Sequence, residues 1–174
     1  MAAYKKATLP KSYWDWGEHI DSNSAGAFPY TPATNLLFGL NEAILMLKEE
    51  GLDRVFARHK RYAEATRLAV QTWGLEVLCE NEDDFSNTLT AVLLPDGHNA
   101  DEFRSIVLDN FNMSLGNGLS RLAGKVFRIG HLGDFNDLML VATLGGIEMG
   151  LSKSSIPHQV GGTQAAMQFL KQTS

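Results

Sequence analysis

The strongest constraint on the fold is a change of period at Leu75. Ahead of it, Leu36, Leu40, Ala43, Ile44 and Leu47 recur at helical spacing, and Val55, Tyr62, Ala69 and Val70 do so again. Behind it, short apolar runs alternate with turn signals and isolated helical stretches. Thr31 and Pro32 suit the N-cap and first position of the first helix, which Gly51 ends. Asp53 suits the cap of a second helix running to about Thr72, with Trp73 at its end and Gly74 as its stop.

Strands are predicted over 75–79, 88–94, 113–115 and 126–129, the first two separated by an acidic loop at 80–84. Helices are predicted from Asn99 to about Asn110 and from Asn136 to about Leu151. A short terminal helix runs from Thr163 to about Lys171. The order β-β-α-β-β-α defines an α+β fold, a small, mostly antiparallel sheet with helices on one face, preceded by a helical connector. Gly145 and Gly146 inside a helix cost about 1 kcal/mol each against alanine, so close packing on the sheet is their expected reason. The domains read as 1–50, an arm and connecting helix; 51–151, the α+β domain; and 152–174, a linker and short helix. Residues 1–27 show no sustained period, and Ser22–Gly26 reads as loop. Tyr13, Trp14 and Trp16 cluster there with no core of their own, as a packed arm or a partner surface.

A net charge of −5 argues against nucleic acid or an anionic membrane as partner, and Arg54, Arg58, Lys60, Arg61 and Arg67 read as a solvated helix face. Cys79, the single cysteine, reads as a small core residue; it supplies neither an internal disulfide nor a metal cluster. His19, His59, His98, His131 and His158 lack metal-ligand spacing. The apolar window 138–151 is too short to span a bilayer, and neither end carries a targeting signal, so a cytoplasmic protein is expected.

Two residues stand out chemically. Thr31 lies where a helix N-terminus offers free N–H groups to a phosphate, although capping alone would also explain it. Arg128 sits inside an apolar strand beside Gly130, and an unpaired guanidinium there is costly. Its planar fork suits a carboxylate, either a ligand's or that of Asp134 or Asp137 nearby. Alternation puts Val126, Arg128 and Gly130 on one face and Phe127, Ile129 and His131 on the other. His131 has no nucleophile set against it and reads as structural. Gly116-Asn117-Gly118 lacks the context of a nucleotide fingerprint and reads as a turn.

Taken in order, YWDW (13–16), FPYTPATNLLFGLNEAI (28–44), GLDRVFARHKRYAEATR (51–67) and GKVFRIGHLGDFNDLM (124–139) resemble the C-terminal part of class V pyridoxal-phosphate aminotransferases. The nearest branch is the serine–glyoxylate and alanine–glyoxylate enzymes, and the resemblance runs to about Leu151. It implies a fold type I transaminase, an obligate homodimer acting on an amino acid and a 2-oxo acid. The arginine of K-V-x-R-I-G, here Arg128, would bind the substrate carboxylate. Thr31 matches the threonine that reaches the cofactor phosphate of the other subunit. An aromatic hydroxyl that relatives place on that phosphate aligns with Phe28, with Tyr30 two residues on. The family's lysine that holds the cofactor lies in a large domain absent here. Lys5, Lys6, Lys11, Lys48, Lys60, Lys125, Lys153 and Lys171 include none in its context. No catalytic residue is assigned, and the chain alone is expected to be inactive. A non-catalytic ligand-binding or protein-interaction module, or half of a split enzyme, is the alternative.

Overall fold

The computed structural model describes residues 2–173, which divide into two compact units after Glu49. In the first unit, α1 (Ala2–Lys6) is followed by a single 3-10 turn, Ser12–Trp14, and by α2 (Trp16–Ser24). The loop expected at Ser22–Gly26 is thus partly helix. Its cause is Asp15, whose carboxylate caps α2 by accepting from the Gly17 and Glu18 N–H groups at 2.8 and 3.2 Å. The Tyr4 hydroxyl donates to the same carboxylate. Gly26, with φ +74°, ends the helical segment.

α3 (Thr34–Glu50) starts later than expected. The Ala33 carbonyl accepts the first helical bond, from Leu37 N–H, so Thr31 and Pro32 lie before the helix rather than opening it. The Thr34 N–H turns back to the Pro32 carbonyl at 2.9 Å, a tight turn that delays the helix and leaves Thr31 outside its cap position. Among the described residues, none from 2 to 49 is buried. Leu36 and Phe38 are each 75% exposed, and Leu40, Ile44 and Leu45 are also open.

The second unit starts with α4 (Leu52–Thr72), whose N-cap is Gly51 and not Asp53; Asp53 lies in the first turn, where its charge favours the helix dipole. α4 buries Val55, Tyr62, Ala69 and Val70 as expected. Two of its basic residues are tied down rather than solvated. Arg58 pairs with Glu50 at 2.6 Å, and Arg61 forms a two-point contact with Asp137 at 2.7 and 2.8 Å. Those bonds from Arg61 hold the Asp137 carboxyl below the usual range.

The sheet comprises β1 (Glu76–Val77), β2 (Leu89–Leu93), β3 (Gly116–Asn117) and β4 (Val126–Gly130), in the order β1-β2-β4-β3, antiparallel throughout. α5 (Ala100–Phe111), capped by Asn99, precedes β3; α6 (Asp137–Lys153), capped by Asn136, follows β4. The α+β order read from the sequence is therefore the observed one. The third strand is displaced from its expected place at 113–115. Arg104 Nε–H takes the Leu115 carbonyl at 2.8 Å, and the Leu115 side chain enters the core, so pairing begins only at Gly116. β1 is shorter than expected because the chain turns away after Leu78, whose N–H bonds to the Ala91 carbonyl.

Trp73, Phe103, Phe127, Ile129, Leu140 and Leu144 form the centre of a core between sheet and helices. Cys79 is not part of it: it is partly exposed, with its thiol weakly directed at the Asn81 carbonyl. The α6 glycines do not pack on the sheet. A Cβ at Gly146 would meet Met113 at 2.8 Å, one at Gly150 would meet Val107 of α5 at 2.5 Å, and Gly145 faces Thr163. α7 (Gly162–Gln172) packs on α4 and α6. Gly162 makes the approach to α4 possible, since a Cβ there would lie 2.3 Å from the Trp73 indole nitrogen.

Candidate functional site

β4 is sorted by its pleat. Phe127 and Ile129, with His131 just beyond the strand, are fully buried; Arg128 is half-buried and Gly130 exposed on the opposite face. Val126 departs from this pattern and is buried as well.

Arg128 is paired in register with Ala91 of β2 on one side and Gly116 of β3 on the other. Directly opposed residues share a face of an antiparallel sheet, so the guanidinium is flanked by two very small neighbours. Neither nearby carboxylate satisfies it. Asp137 is held by Arg61, and Asp134 acts electrostatically on Arg58. Arg128 Nε is buried and makes no hydrogen bond among the described residues. A buried N–H donor without a partner is an expensive arrangement, and an acceptor on the open face of the sheet would offset it.

The histidines near β4 are structural. His131 is fully buried, shares a 3.0 Å hydrogen bond through Nε2 with the Thr90 hydroxyl, and is pushed down to about 4 by burial. It is therefore neutral at physiological pH. His59 Nδ1–H donates to the Val55 carbonyl at 2.7 Å, while Nε2 accepts the Gly133 N–H at 3.1 Å. That double contact fixes its tautomer and anchors the loop leaving β4. No group of three His, Cys, Asp or Glu residues is placed to hold a metal ion among the described residues.

Thr31 and Tyr30 lie in the first unit. Thr31 is exposed, and its hydroxyl has no hydrogen-bond partner among the described residues. The Tyr30 hydroxyl bonds to Ser12 Oγ at 2.6 Å and donates to the Glu18 carboxylate at 3.4 Å. Its ring packs 5.3 Å from that of Tyr13. The expected phosphate contacts thus differ: one hydroxyl is free and the other is engaged.

Sequence reasoning singled out Arg128 but missed its supports. Gly116 was expected to be only a turn residue, and Arg104 carried no signal at all. Both emerge only from strand register and from a helix–loop hydrogen bond.

The four-stranded antiparallel sheet and the helices packed on it match the C-terminal domain of the fold type I aminotransferases. The match to the ureidoglycine–glyoxylate aminotransferase of Bacillus subtilis has a TM-score of 0.87 at 26% identity, over 97% of this chain and 44% of that one. No protein-family model matches the chain. Over its length the chain is homologous to the glyoxylate aminotransferases of class V. It is 42% identical over 173 residues to the serine–glyoxylate aminotransferase of Arabidopsis thaliana, covering 98% of this chain and 43% of that protein. To the serine–glyoxylate aminotransferase of Methylorubrum extorquens it is 43% identical over 165 residues, 94% of this chain and 41% of that protein. The chain therefore spans less than half the length of the curated relatives it matches.

Proposed function

We propose that this chain is the C-terminal portion of a pyridoxal-phosphate-dependent transaminase that moves an amino group from serine or alanine to glyoxylate, working as a homodimer in the cytoplasm. The observation carrying this reading is the partnerless Arg128, placed between Ala91 and Gly116 on the open face of the sheet. Homology across the chain's whole length to serine–glyoxylate aminotransferases supports it.

In this reading Arg128 clamps the carboxylate of the amino donor and then that of the 2-oxo acid. The guanidinium offers two parallel N–H donors, so it fixes orientation as well as charge. Thr31, with its free hydroxyl just ahead of α3, donates to the cofactor phosphate. Tyr30 is a second phosphate contact that exchanges its bond to Ser12 for one to the ligand. The cofactor supplies the electron sink needed to move an amino group between carbon skeletons. Residues up to about Glu50 act as the connector to the large domain, and the apolar exposure of α3 suits a helix covered by another part of the enzyme. Residues 51–151 form the small domain, and 152–174 close it.

The test is titration of the 174-residue chain with glyoxylate, followed by NMR of the arginine side chains. Arg128→Gln is expected to weaken carboxylate binding roughly 10–100-fold, the worth of a charged two-point contact. Unchanged affinity would remove the assignment. The chain alone is expected to show no turnover, and glyoxylate-dependent transamination by it would overturn that expectation.

A further inference from the structure

A feature of Arg128 that the substrate role leaves unexplained is how it is held. Its Nε is buried, yet among the described residues no hydrogen bond or ion pair fixes its direction. An arginine free of polar contacts carries much rotamer entropy, and ordering it on binding would cost affinity. Shape must therefore do the positioning.

The shape is supplied by Gly116. A Cβ built there would lie 3.0 Å from Arg128 Cβ and 3.1 Å from Nε, tighter than ordinary side-chain contact. The stem of the arginine thus lies directly across the Gly116 backbone, in the space a side chain would fill. Any larger residue would lift the guanidinium by a few tenths of an ångström or more, enough to spoil a two-point contact.

That seat works only if β3 is itself fixed, and β3 is two residues long. It pairs with β4 only through Gly116↔Arg128 and Asn117↔Phe127. On its N-terminal side the anchor is Arg104 of α5. Arg104 Nε–H donates to the Leu115 carbonyl at 2.8 Å, and Nη1 donates to Asp101 Oδ1 at 2.9 Å. The Leu115 side chain, 5% exposed, holds the same residue from the core side. On the C-terminal side Gly118 is fixed by contact, since a Cβ there would lie 2.0 Å from the Leu122 carbonyl oxygen. Asp101, Arg104, Leu115 and Gly116 thus form a continuous line of contacts ending at Arg128.

We propose that Gly116 and Arg104 are positioning residues for Arg128: Gly116 is the seat on which the guanidinium stem rests, and Arg104 holds that seat in register. The proposal rests on Arg128 as the carboxylate clamp, but its direct readout does not depend on ligand. In the 174-residue chain labelled with nitrogen-15, the Nε–H resonance of Arg128 is assigned by its loss in Arg128→Gln. Gly116→Ala and Arg104→Met are then compared with the parent, with the backbone amides of α4 and α6 reporting an intact fold. Each variant is expected to shift or broaden the Arg128 Nε–H signal while those amides stay in place. Each should also weaken glyoxylate binding about tenfold or more.

An unperturbed Arg128 signal in both folded variants overturns the positioning role. A perturbed signal in a chain whose Arg128 never responds to glyoxylate leaves the positioning intact and removes the substrate reading instead. Gly116→Ala disturbs the seat and Arg104→Met its anchor, so a loss of fold in one leaves the other to decide.

Discussion

Replacing Glu148 by glutamine should loosen α7, and the structure gives the size of the effect. Glu148 projects from α6 into the start of α7, where Oε1 accepts the Gly161 N–H at 2.5 Å and Oε2 the Thr163 N–H at 2.9 Å. Burial alone would raise its pKa, but the Gly161 and Thr163 N–H donors, with the polar Thr163 hydroxyl and Trp73 indole close by though not hydrogen-bonded to it, outweigh burial and hold the carboxyl down to about 2 from 4.5. The full linkage value of that shift is about 3 kcal/mol. The carboxylate is only part-buried, so solvent screening reduces it to roughly 1.5–2.5 kcal/mol. The folded carboxyl titrates near 2 and the unfolded one near 4.5, so the contribution is whole above pH 4.5 and is lost as the pH falls through 2. Glutamine keeps one acceptor oxygen but turns an NH2 toward a backbone N–H that needs an acceptor. Urea unfolding followed by the indole N–H signal of Trp73 is the assay, at pH 7 and again at pH 2. A loss of about 2 kcal/mol is expected at pH 7, shrinking at pH 2. A loss below about 0.5 kcal/mol, or one equal at both pH values, would refute the reasoning.

His131 predicts a second acid dependence in a separate window. Burial keeps its folded pKa near 4 against 6.5 when free, so the unfolded chain takes up the proton first and stability falls as the pH drops from 6.5 to 4. The fall amounts to at most about 3 kcal/mol, and His131→Phe should flatten it in urea titrations at pH 7 and 4.5. Gly162→Ala should cost about 1–3 kcal/mol by overpacking, because the new methyl meets the Trp73 indole at 2.3 Å and the Ala69 carbonyl at 2.7 Å. Loss of amide-exchange protection in α7 would report it.

The exposed apolar surface of α3 is understandable in the same physical terms. Leu36, Phe38, Leu40 and Ile44 of α3 are all open, while Asn35, Glu42 and Glu49 recur along its polar side. An exposed apolar stripe of that size is the kind of surface that marks contact with another protein segment.

The sequence by itself determined the period change at Leu75, the β-β-α-β-β-α order, the helices starting at Asn99 and Asn136, and Arg128 as an oddity needing an anion. These are local facts: side-chain spacing sets which face is apolar, and a capping residue satisfies N–H groups within its own turn. Tertiary structure decided the rest. Thr31 lost its cap role because the chain turns at Pro32 and the helical bonds start only at the Ala33 carbonyl, and the third strand slid to Gly116 because Arg104, eleven residues earlier, took the Leu115 carbonyl. Asp137 was removed from Arg128 by Arg61, 76 residues before it. Gly116 became a seat rather than a turn residue only through its register with β4. Partners brought together by folding compete for the same carbonyls and carboxylates, and spacing along a chain does not record which of them wins.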